Sequence, residues 1–92
     1  PNAFSPDGDG INDRFTIYGD AQLDQITSLE MYDRWGNALF KAVDFLANDA
    51  NLGWDGTYKG KKMDSGVYVY YAVLRLDDGQ TRVIKGAVNL IR

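Results

Sequence analysis

The sequence predicts an all-β chain, and three observations carry that expectation. Residues 14–18 alternate polar and apolar side chains with period two, and residues 67–76 form a long run of β-branched and aromatic residues. Turn formers in hairpin combinations, Asp33-Arg34-Trp35-Gly36 and Asp77-Asp78-Gly79, lie between such segments. No segment carries a long helical period with caps at its ends. Short strands with glycine-rich turns bury their apolar faces by stacking as two sheets. The expected fold is therefore an Ig-like antiparallel β-sandwich of about seven strands, built as a single domain over residues 1–92.

Taken in order, residues 1–13 are rich in turn formers, with Phe4 and Ile11 as the apolar anchors that tie this loop to a core. Arg14 to Tyr18 reads as a short strand, broken by Gly19-Asp20. Residues 28–40 read as strand, tight turn, strand, the first strand starting near Ile26. Asp33 is a favoured first residue of a type I turn and Gly36 supplies the positive φ at its fourth position, giving a three-residue hairpin loop with a bulge. Arg34 and Trp35 then occupy the hairpin tip. Bulky aromatics are mostly buried, so Trp35 is expected to fold back over the end of the sandwich; the alternative is that it is offered to a partner.

In the segment from Lys41 to Leu52, Val43, Phe45 and Leu46 fit one face of a helical turn or two. Caps are lacking and Asn48, Asp49 and Asn51 are close by, so a loop with at most a short helix is expected. Trp54 is expected in the core, with Asp55-Gly56 forming the next turn and Lys59-Gly60-Lys61-Lys62 a basic turn. The run 67–76 is apolar on both faces and is expected to be a central strand covered on both sides, which makes Val69 a core residue. In the last strand, from Thr81 to Arg92, Ile84, Val88 and Leu90 share one face, while Arg82 and Lys85 discourage edge pairing with other chains.

Composition excludes several functions. The 92 residues contain no cysteine and no histidine, so disulfides, thiolate chemistry, the commonest acid–base residue and the commonest zinc ligand are all missing. A net charge of −3 is mild and of the wrong sign for nucleic acid, and no apolar run suits membrane insertion. No signal peptide is visible, and a start at Pro1 rather than Met leads us to expect a domain cut from a longer protein, with any targeting segment upstream. Glu30 is the single glutamate, and the twelve aspartates are scattered over turns, where their side chains hydrogen-bond the local backbone. Ser5, Ser28 and Ser65 have no histidine to activate them, and the acidic Gly8-Asp9-Gly10 would repel phosphate. No catalytic residues are assigned, and a non-enzymatic chain is expected.

One constellation has metal-ligand spacing. Asp7, Asp9 and Asp13 supply carboxylates and Ile11 a backbone carbonyl within one glycine-interleaved loop, an arrangement suited to calcium, which takes six to eight hard oxygens. The loop resembles those of thrombospondin type 3 repeats and dockerins, but it lacks the twelfth-position glutamate of an EF-hand. The competing reading is a solvated turn, in which Asp7 and Asp9 bond their own backbone. No cofactor is required, and calcium is the one candidate. Trp54 as a sugar platform and the lysine turn as an anion patch are weaker readings than a core tryptophan and a soluble loop tip.

Five blocks then carry a resemblance. Residues 1–13, Pro-Asn-Ala-Phe-Ser-Pro-Asp-Gly-Asp-Gly-Ile-Asn-Asp, resemble the opening motif of the gliding-motility-associated C-terminal domain, the type B sorting domain of the type IX secretion system. Tyr32-Asp33-Arg34-Trp35-Gly36-Asn37 is similar to its hairpin motif, where Asp33, like Asp7, stands in place of the usual asparagine. Trp54-Asp55-Gly56-Thr57, Ser65 to Tyr70 and Gly86 to Arg92 match three further blocks in order, while nothing carries over to 41–52. A looser similarity, to the Ig-like domain of flagellar hook-capping proteins, omits the acidic loop and the Arg34-Trp35 turn.

The resemblance implies a non-catalytic C-terminal sorting signal, as found on large surface or secreted proteins of Bacteroidota. Such a signal is read as a folded domain by outer-membrane translocon components, and upstream passenger domains in the same chain are its cargo. It implies export through the periplasm to the cell surface or medium. The surface expected to be read comprises the acidic loop, the Arg34-Trp35 tip and the end of the last strand, Leu90, Ile91 and Arg92. A calcium-stabilised Ig-like adhesion or carbohydrate-binding module is the alternative.

Overall fold

In the computed structural model, residues 3–8, 13–19, 22–49 and 52–92 are described. The regular elements among them are seven strands: β1 (Ala3–Phe4), β2 (Leu23–Tyr32), β3 (Ala38–Leu46), β4 (Thr57–Tyr58), β5 (Lys61–Lys62), β6 (Gly66–Leu76) and β7 (Thr81–Leu90). Five of them form one sheet in the order β1-β7-β6-β2-β3, and β4 pairs with β5 in a separate two-stranded ribbon. The chain is all-β, as expected, with sheets compatible with a sandwich. One pairing departs from the antiparallel rule: β1 runs parallel to β7, Phe4 opposite Leu90.

Turn chemistry sets the long hairpins. The β6–β7 connection closes on Leu76, whose carbonyl accepts the Gly79 N–H at 3.0 Å, with Gly79 at φ 86°. The Asp78 carboxylate accepts the Gln80 N–H at 2.9 Å, so side chain and backbone enforce the same turn. From there β6 and β7 stay in register from Arg75–Thr81 to Gly66–Leu90.

The core lies on one face of the large sheet. Ile26, Leu29 and Met31 from β2, Tyr68, Ala72 and Leu74 from β6, Val88 and Leu90 from β7 and Phe4 from β1 are buried there. Each fully buried side chain of this size is worth about 1.5–3 kcal/mol. Phe15 and Trp54 cover them from the opposite layer. The Phe15 N–H donates to the Trp54 carbonyl at 2.8 Å and the Trp54 N–H returns to Phe15 at 2.9 Å. Gly53, at φ 114°, makes this crossing possible, because a Cβ there would fall 2.1 Å from the Phe15 carbonyl oxygen.

Three expectations are corrected. The segment 14–18 is no strand: its ladder is the one Phe15–Trp54 bridge, after which the Ile17 carbonyl accepts the Asn48 N–H at 3.2 Å instead. The segment after Lys41 is no loop, since β3 continues to Leu46 with Val43 opposite Ser28 and Phe45 opposite Ile26. Asp44 (φ 52°) and Asn48 (φ 61°) are left-handed, and of the three apolar residues that fit a helical face only Phe45 packs against the core, Val43 and Leu46 being exposed. Finally, β6 is covered on one side. Val67, Val69 and Tyr71 face outward, Val69 39% exposed, because the second layer is only a short ribbon and extended chain on the inner face. β-branched and aromatic residues suit a pleated surface even where half-exposed, so this run reads as doubly buried when it is not.

Candidate functional site

The hairpin between β2 and β3 is fastened by Asp33. Its Oδ1 accepts the N–H groups of Trp35 at 2.9 Å and Asn37 at 2.8 Å, and its Oδ2 accepts the Asn37 side-chain amide at 2.8 Å. The Asp33 backbone adds a donor to the Asn37 carbonyl and an acceptor for the Gly36 N–H, with Gly36 at φ 87°. The hydrogen bond from the Asn37 side chain, joined by those from backbone N–H groups, holds the Asp33 carboxyl below its ordinary range.

This turn does not fold Trp35 onto the core. The indole is 75% exposed, against the expected burial, and the Arg34 guanidinium stacks over it at 4.6 Å. Two effects keep it there. Asp33 fixes the backbone that carries Trp35, and Phe4, Phe15, Trp54 and Tyr68 already fill the space inside. A cation stacked on the ring gives the pair a preferred geometry, so less side-chain freedom remains to be lost on docking.

The C-terminal residues of the chain are held more firmly than a strand end needs. Leu90 is buried, Ile91 is 53% exposed, and the Ile91 N–H donates to the Phe4 carbonyl at 2.9 Å. Arg92 reaches across the end of the fold. Its Nε donates to the Met63 carbonyl at 2.6 Å, a terminal nitrogen to the Gly56 carbonyl at 2.8 Å, and its N–H to Ser65 Oγ at 3.0 Å. Of the expected recognition residues, Leu90 therefore serves the core, and the Arg92 guanidinium is engaged within the chain.

Residues 63–66 join the two regions. Met63, Asp64, Ser65 and Gly66 line a hollow of about 140 Å³ with Asp33, Arg34 and Trp35, while Met63 and Ser65 bind Arg92 on their other side. Beyond Arg92, a wider hollow of about 470 Å³ is bounded by Ser5, Pro6, Asp7, Lys62 and Ile91. The Arg34-Trp35 tip, the chain's last two residues and the start of the acidic loop thus share one end of the sheet. Sequence reasoning missed the 63–66 segment as the connecting piece. The signal available was Ser65-Gly66, which opens β6 and whose hydroxyl stations Arg92.

Two of the four expected calcium ligands, Asp9 and Ile11, lie outside the described residues. The Asp13 Oδ1 accepts the Gly8 N–H at 3.0 Å and the Asp7 N–H donates to Ser5 at 2.9 Å. Among the described residues no three His, Cys, Asp or Glu groups are placed to hold a metal. Trp54 is fully buried, its indole N–H donating to the Thr57 carbonyl at 2.9 Å, which leaves no sugar platform. In the turn that follows, burial alone would raise the Asp55 carboxyl. Bonds from the Thr57 hydroxyl and N–H, with the charge of Arg14, more than reverse this and hold it below its ordinary range.

A family model described as the CHU_C type IX secretion signal domain matches residues 1–90. Comparison with curated proteins gives no match.

Proposed function

The chain belongs to the type IX secretion signal family, and from that premise we propose that its folded end surface, presenting Arg34 and Trp35, is what the secretion machinery reads. Membership makes it a secretion signal, a kind of domain that is non-catalytic and marks an attached chain for export. The proposal adds the finer steps: passage through the periplasm, docking on outer-membrane translocon components, and release of the attached passenger to the cell surface or medium. The observation that carries it is Trp35, a large aromatic held outward on a stiffened turn although it would be stabilised by burial.

The test is a neutral reporter fused to residues 1–92 in a type IX-competent host and in a translocon-deficient strain. Surface or medium appearance in the first alone supports the reading. Equal export in both strains, or periplasmic retention in both, favours the adhesion-module alternative.

We also propose that calcium binds the loop through Asp7, Asp9 and Asp13. Close carboxylates repel one another without a cation, so binding offsets a cost of the empty loop. Titration calorimetry and thermal melting with millimolar calcium and with chelator check it. Binding heat and a raised midpoint are expected; neither appearing removes the site.

A further inference from the structure

The sheet ends on β3. Its nine residues pair with β2 on one side, and among the described residues no strand pairs with the other. A strand edge of this length presents a row of unused N–H and C=O groups, and natural proteins usually blunt it with proline, bulges or charge. Here the blunting is partial. Leu39 is an extra residue between the Met31–Phe40 and Tyr32–Ala38 pairs, and Lys41 is charged. Asp44, with φ 52°, interrupts the extended backbone at the other end, while residues 40–43 run in regular register with no proline and no left-handed residue.

A groove of about 370 Å³ runs along that open half, lined by Ala38, Leu39, Phe40 and Lys41 of β3, Glu30 and Tyr32 of β2, and Tyr58 of the ribbon. Tyr58 is half-exposed and forms the far wall without a main-chain bond to β3. Lysines flank the groove although the chain as a whole carries −3. Lys59 lies 5.3 Å from the Tyr58 ring, Lys61 pairs across from Tyr58, and Lys41 stands on β3 itself. Glu30 offsets part of this charge, accepting the Tyr32 hydroxyl and lying 3.7 Å from Lys41.

We propose that the edge formed by residues 38–43 accepts an extended acidic peptide as a sixth strand of the sheet. Main-chain bonds to β3 supply the affinity, Tyr58 and Phe40 contact alternate side chains, and the three lysines select carboxylates. The groove is on the edge of the fold, and the inference does not rest on the Arg34-Trp35 end being the surface read in export.

The probe is a capped octapeptide alternating valine with aspartate and threonine, titrated into isotopically labelled residues 1–92 and followed by amide NMR. Shifts confined to residues 38–43, with Tyr58 and its neighbours, are expected, together with slowed exchange of the outward β3 amides. A lysine-for-aspartate peptide should bind at least about fivefold more weakly, the scale of one exposed ion pair. Lys41→Glu with Lys59→Glu should reverse that preference while β6–β7 amide shifts report an intact fold. A peptide with two central prolines should not bind. The proposal is overturned by an unmoved β3 edge at millimolar peptide, by equal binding of the proline peptide, or by indifference to peptide charge. It is also overturned if β3 shifts follow protein concentration without peptide, which would make a second copy the occupant.

Discussion

Trp54 and Trp35 are the chain's two tryptophans, and each sits beside an aspartate in a tight turn. Trp54 precedes Asp55; its ring is fully buried against Phe4 and Tyr68, and its N–H is used within the turn. Trp35 follows Asp33 by two residues and stands 75% exposed, with Arg34 as its only ring partner among the described residues. The difference lies in what each turn faces. Gly53 lets the chain cross Phe15 and drives Trp54 inward, whereas Asp33 ties the backbone of a hairpin that projects beyond the sheet. A tryptophan is thus a core residue in one turn and a presented surface in the other, and the two should fail in different ways.

Trp54→Ala is expected to have the largest effect on stability. Truncating a fully buried aromatic costs about 3–5 kcal/mol, a large part of the roughly 5–15 kcal/mol that a domain possesses. Urea unfolding should show the midpoint falling steeply. Next comes the sidedness of the sheet. Val88→Asp buries an unpaired charge and should cost several kcal/mol, whereas Val69→Asp lies on the outward face and should cost within about 1 kcal/mol. If both unfold the domain alike, the one-sided core is wrong.

A smaller effect comes from the two turn carboxylates. Asp33 and Asp55 are both held below the ordinary carboxylate range. A depressed folded-state pKa means that their stabilisation is present above the unfolded value near 3.9 and is lost as pH falls through the folded value. Stability should therefore decline below about pH 4, and more gently in Asp55→Asn than in the parent. An unchanged slope between the two would remove Asp55 from the acid response.

The sequence made the all-β class legible because turn chemistry and strand composition agree at 33–36, 77–79 and 66–76. It did not reveal which face is covered, since Val67, Val69 and Tyr71 meet the same composition rule as Tyr68 and Ala72. Nor did it reveal the fate of Trp35. Burial preference is an average over tryptophans, while the outcome here rests on the Asp33 side-chain bonds and on a core already filled by other aromatics. The tip and the chain's last residues are joined through Met63 and Ser65, contacts between segments far apart in the chain that no local pattern encodes.

The most direct measurement of the central claim pairs thermal melting with export of a reporter carrying Trp35→Ala. Removing a surface indole that is 75% exposed should cost within about 0.5 kcal/mol, a shift of roughly 2–4 °C for a domain of this size. The account predicts a melting midpoint inside that range and a clear loss of reporter from the surface and medium. Wild-type export at an unchanged midpoint would show that the Arg34-Trp35 end is not what the machinery reads.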